Sequence, residues 1–108
     1  MGQYLSDTIT PTTTAILRNV QGGTAVKGNL WIWETAGVAG SVVANTRDGS
    51  VTIPIPANGF RYVEFDIEVV SFSFSGNGAS FTVDFGSGYR ISPPTSFSST
   101  GSLHIVAV

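Results

Sequence analysis

The chain has 108 residues, no cysteine and a formal net charge of −2. That is the length of one ordinary domain, and the missing cysteines remove disulfides and thiolate metal sites together. Its lysines and arginines, Arg18, Lys27, Arg47, Arg61 and Arg90, are scattered where phosphate binding needs them clustered, so nucleic-acid binding is disfavoured. No run of about 18 apolar residues exists to cross a membrane as a helix.

Charged residues make up only 11 % of the chain, against a usual ~25 %. Ser, Thr, Asn and Gly must then cover the surface. Charge keeps monomers apart, so such a chain either presents a solvated hydroxyl surface or has its exterior covered by neighbours. The start, MGQYLSDTIT, lacks the basic and apolar parts of a signal peptide. Gly2 and Ser6 fit the loose myristoylation pattern, with no basic cluster after them.

No window repeats apolar residues with the period of a helix. Residues 1–12 read as an extended N-terminal arm, and 13–20 as the first strand. Residues 24–34 read as a second strand, in which Gly28 marks a bulge or bend. Residues 41–46 and 50–56 flank TRDGS, where Asp48–Gly49 signals a hairpin. Val51, Ile53 and Ile55 alternate with Thr52, Pro54 and Pro56, so the odd positions face the core. The two prolines remove donors from one side, which predicts an edge strand.

Asn58–Gly59 turns the chain into its longest extended stretch, residues 60–75. Val63, Phe65, Ile67 and Val69 alternate with Glu64, Asp66 and Glu68. After Val70 the phase inverts, and Val70, Phe72 and Phe74 alternate with Ser71, Ser73 and Ser75. Side chains alternate with period two, so the inversion predicts an extra residue, or a crossing between sheets, near Val69–Val70. SGNGAS makes a turn, and Phe81, Val83 and Phe85 return. A tight turn would bring Phe74 near Phe81 and Phe72 near Val83. A short strand near Tyr89–Ile91, a stiff Pro93–Pro94 pair and a last strand in LHIVAV follow. The expected architecture is all-β: one domain over 1–108, an antiparallel two-sheet sandwich of jelly-roll kind with seven or eight strands.

Trp31 and Trp33 are two apart on a strand, hence on one face, with Leu30 and Ile32 on the other. They fill a core, a protein interface or a sugar-stacking platform, and Tyr62 and Tyr89 extend any of these surfaces. Glu64, Asp66 and Glu68 share a face about 6.6 Å apart. Calcium needs six to eight converging oxygens, which a straight strand does not supply without loop carbonyls or Asp84. A solvated face, or one meeting basic residues of a partner, remains. His104 is the only histidine; no G-x-S-x-G elbow exists to give it a catalytic serine, and no second His or Cys to share zinc. GNG and GSG lack the helix that a phosphate cradle needs. The sequence therefore predicts no catalytic residue, no metal and no cofactor.

In its MGQYLSDT start, its length, its low charge and its Thr/Ser/Gly-rich β pattern, the chain resembles the small jelly-roll cement or decoration proteins of tailed bacteriophage virions. The likeness spans the chain as style, with no motif from which a functional residue carries over. It implies a non-enzymatic virion protein, assembled in the host cytoplasm, that binds and stabilises a shell of major capsid protein as a dimer or trimer. The alternative is a carbohydrate-binding β-sandwich module that stacks sugars on Trp31 and Trp33.

Overall fold

A computed structural model of the chain describes residues 3–20, 24–86 and 102–105. Eight strands follow one another: β1 (Gln3–Ile9), β2 (Ile16–Asn19), β3 (Val26–Glu34), β4 (Gly40–Thr46), β5 (Gly49–Ile55), β6 (Phe60–Ser75), β7 (Phe81–Gly86) and β8 (Ser102–Ile105). No helix occurs among the described residues. The strands form one hydrogen-bonded sheet in the order β1-β7-β3-β6-β4-β5, with β2 and β8 also on β6. Strands β1 to β7 pair antiparallel, and β8 lies parallel to β6.

The 16-residue β6 organises the sheet. Val69 faces both Val26 of β3 and Thr46 of β4, so β3 and β4 occupy opposite edges. Ser71 faces Asn19 of β2 and Asn45 of β4, which puts β2 beside β3. Tyr62 faces Trp31 of β3 and Ser102 of β8, which puts β8 beside β4. Each half of β6 therefore has its own pair of neighbours. The edge strands β1 and β5 both feed one core, through Ile9, Ile53 and Ile55. In a flat sheet five strand spacings, about 24 Å, would separate them. The sheet must curl around its apolar face.

The expected phase break sits where the alternation inverts. Asn45 faces Ser71 but Thr46 faces Val69, which leaves Val70 as an extra residue. This bulge keeps one face of β6 inward along its whole length. Val63, Phe65, Ile67 and Val69 before it, and Phe72 and Phe74 after it, all join the main core. A second register shift lies between Val26 and Gly28, at the glycine the sequence marks. A Cβ there would stand 2.8 Å from the Gly86 carbonyl oxygen, closer than real contacts allow.

The β4–β5 hairpin turns through Arg47 and Asp48, with Thr46 facing Gly49. Of Asp48 and Gly49 only the glycine takes a positive φ, 136°. Pro54 lies on the edge strand β5, as predicted. Three sequence readings differ from the structure. Strand β8 runs parallel to β6, where an antiparallel architecture is expected. The strand reading starts at residue 13 and so omits β1, which pairs with β7 from within the segment read as an arm. The turn after Ser75 also does not fold β7 back onto β6, since β7 pairs with β1 and β3. Phe74 still meets Phe81, at 6.2 Å between ring centres, while Phe72 meets Phe85 at 5.0 Å. Both contacts run through the core rather than along a ladder. The expected last strand is present over Ser102–Ile105 as β8, and its remainder, residues 106–108, lies outside the described residues. Gly2, the expected strand near Tyr89–Ile91 and the Pro93–Pro94 pair lie outside the described residues.

Candidate functional site

Because the Val70 bulge preserves the inward face of β6, the opposite face is continuous too. Residues 60, 62, 64, 66, 68, 71, 73 and 75 line it, in three zones: aromatic, acidic and hydroxyl.

In the aromatic zone Phe60 and Tyr62 lie opposite Trp33 and Trp31. These four residues make a second apolar cluster on the side of the sheet away from the main core. Trp31 is centred 4.6 Å from Tyr62, 5.2 Å from Phe60 and 6.3 Å from Trp33, within the range where rings attract. Each tryptophan is only 7 % exposed. A sugar platform needs accessible, near-parallel rings, whereas these two indoles are covered and tilted by 33°. Tyr89, expected to extend this surface, lies outside the described residues.

The acidic trio does not converge. Glu64 accepts the Tyr62 hydroxyl at 2.9 Å, Glu68 pairs with Arg47 of the hairpin at 2.6 Å, and Asp66 is exposed between them. Among the described residues no group of three or more acidic or imidazole side chains is placed to hold a metal. A further ion pair joins Asp7 to Arg18 at 3.4 Å. Asp7 faces Val83 and Arg18 faces Phe72, so both sit on the core-facing side of their strands. Their partly exposed pair bridges β1 and β2 at the margin of the sheet.

The hydroxyl zone spreads over four strands. Leu17, Ser73, Val43 and Thr52 form one row across β2, β6, β4 and β5. Asn19, Ser71, Asn45 and Ser50 form the next, with Asn45 donating to Ser71 at 3.0 Å. Ser75, Ser41 and Pro54 form a third. None of these residues is charged. The row ends at Leu17, a large apolar side chain left 56 % exposed.

One residue that the sequence reading passed over organises an end of the molecule. Glu34 closes β3 and is fully buried. Its Oε1 accepts the backbone N–H groups of Gly37, Val38 and Asn58 at 2.8, 3.0 and 2.9 Å. Its Oε2 accepts those of Ala36 and Ser80 at 2.8 and 3.1 Å. One carboxylate thus ties together the β3–β4, β5–β6 and β6–β7 connections. A carboxylate offers about four lone-pair positions, so five donors saturate it and leave nothing for chemistry. The available signal was an acid ending an apolar strand just before the small residues Thr35, Ala36 and Gly37.

Burial alone would raise the Glu34 pKa; the N–H donors of Asn58, Ser80, Ala36 and Gly37 outweigh it and hold the carboxyl below its ordinary value. The unfolded chain restores that ordinary value, about 4.3. A carboxyl depressed by folding stabilises the native state fully above this pH, and that contribution disappears as pH falls through the lower folded value. Urea midpoints followed from neutral to strongly acid pH should therefore drop in the acid range for the wild-type chain. The Glu34→Gln difference from wild type should shrink over the same interval.

Compared with family models, curated proteins and solved structures, the chain matches none.

Proposed function

We propose that the protein is a non-enzymatic structural component of a tailed-bacteriophage virion, a cement or decoration protein that binds an assembled capsid as a symmetric oligomer. The observation that carries this reading is the uncharged outer face of β2, β6, β4 and β5. Burying a charge costs several kcal/mol unless it is paired. A face built from Ser, Thr, Asn, Pro, Val and Leu can be covered without that cost.

The face is small. Four strands about 4.8 Å apart and five residues long cover on the order of 300 Å². A stable pair of proteins buries about 800 Å² on each partner. One such contact is weak, and repetition by the symmetry of a shell supplies avidity that a single contact lacks. The curled sheet is read here as a two-sheet sandwich of jelly-roll kind, with β6 shared between its sheets. The separate neighbours of its two halves support that reading.

The genetic locus tests the proposal. Terminase, portal and major capsid genes beside this reading frame are the expected neighbours. A polysaccharide-degrading cluster there would contradict it, as would a saturable change in tryptophan fluorescence on titration with glycans that Trp31→Ala removes.

A further inference from the structure

The pair Asn-Gly occurs twice, at Asn58–Gly59 and at Asn77–Gly78. Glycine places no side chain in the way of its own amide nitrogen, so that nitrogen can attack the side-chain carbonyl of the preceding asparagine. The glycine nitrogen gives up its proton and bonds to Cγ; the Cγ–Nδ2 bond breaks, and ammonia leaves with the proton. Water then opens the resulting succinimide at either carbonyl. Asparagine and water become aspartate or isoaspartate and ammonia, with no oxidant, reductant or enzyme required.

The fold treats the two pairs unequally. Asn58 has a left-handed backbone, φ 52°, and its N–H is held by Glu34 at 2.9 Å. Its side-chain nitrogen packs 3.5 Å from where a Cβ on Gly37 would stand. The nitrogen that would attack belongs to the buried Gly59 and donates to the Pro56 carbonyl at 2.9 Å. Reaction at Asn58 therefore requires the Glu34 clamp and the turn to open first. Asn77 and Gly78 are both exposed. The Gly78 N–H reaches the Pro11 carbonyl only at 3.3 Å, longer than the usual 2.9–3.0 Å.

We propose that Asn77 is a self-modification site, forming a succinimide with Gly78 in the folded protein, and that the fold protects Asn58 from the same reaction. The inference goes beyond the virion reading and stands whatever partner covers the hydroxyl face. Its product has a structural consequence. Aspartate places a carboxylate in a connection that carries no titratable group over residues 76–80. Isoaspartate also lengthens the main chain by a methylene beside Gly76, where a Cβ would stand only 3.0 Å from Gly40 Cα. That connection ends at Ser80, one of the donors to Glu34, so modification loosens it at the clamp.

The test holds the intact folded protein in mildly alkaline heavy-oxygen water, digests it and follows both peptides by mass spectrometry. The Asn77 peptide should take up heavy oxygen, and the Asn58 peptide should do so about a hundredfold more slowly, the factor set by the extra hydrogen bonds that must open. In urea the two rates should converge, and Asn77→Gln should abolish the fast signal. Conversion of Asn58 in the folded chain as fast as Asn77 would overturn the proposal. So would conversion of neither residue in the folded chain when both convert in urea.

Discussion

Glu34→Ala is expected to destabilise the chain by about 3 kcal/mol. Hydrogen bonds to a charged group contribute about 1.5–3 kcal/mol each, and a buried donor left without its acceptor carries a further penalty. Five backbone N–H groups lose their acceptor together in this variant. The loss falls well short of five times the single-bond figure, because Ala36, Gly37 and Asn58 are on exposed residues and water can reach them. Against a total of about 5–15 kcal/mol for a domain, the change is still large. Glu34→Gln should recover only part of it, since one oxygen is replaced by an amide NH2 that points hydrogens at hydrogens. Urea unfolding measures both. A Glu34→Ala midpoint equal to wild type would mean that the three connections hold their shape without the carboxylate.

Phe72→Ala should cost about 4 kcal/mol, in the range for deleting a buried ring. Phe72 is fully buried one turn of the alternation beyond the Val70 bulge. Its ring lies 5.0 Å from Phe85, 6.0 Å from Phe65 and 6.2 Å from Phe74. Phe65 comes from the other half of β6 and Phe85 from β7, so Phe72 joins the parts of the curled sheet to each other. Truncation removes apolar burial and edge-to-face contacts together, and leaves a cavity that rigid strands cannot fill. Phe72→Leu should cost less than half as much. The expected signature is a lower urea midpoint with an unchanged slope; a drop below about 1 kcal/mol would show that the core collapses around the missing ring.

Both predictions concern features of different legibility. The strands flanking TRDGS, the edge character of β5 and the bulge near Val70 follow from local rules: period-two alternation, missing proline donors and a phase inversion. These act within a few residues, so they are visible in the chain itself. Strand β1 was not, because Asp7 occupies a core-facing position and breaks the alternation of Leu5 and Ile9. The charge is tolerated there because Asp7 lies at the sheet margin, where it is partly exposed and pairs with Arg18. The path of β7 was illegible for a similar reason, since SGNGAS would serve a hairpin or a crossing equally well, and the choice depends on β3 offering its free edge. The tryptophans show the same division. Their shared face is a matter of spacing, whereas their burial depends on packing around β3 and β6. Glu34 was hidden because its partners are backbone amides, three from the adjoining β3–β4 connection and one each from two distant ones, which have no side-chain identity to read.

The central claim is that the uncharged outer face of β2, β6, β4 and β5 exists to be covered by assembly. Sedimentation of the wild-type chain beside Ser73→Lys tests it most directly, because a charge at the centre of that face meets its own image or a desolvated surface in any symmetric contact. The account predicts species heavier than the 11.3 kDa monomer for wild type at high concentration, a shift towards monomer for Ser73→Lys, and the same urea midpoint for both once they are diluted to monomer. A wild-type chain that stays monomeric at high concentration, or a lysine variant that associates as well as wild type, would contradict it.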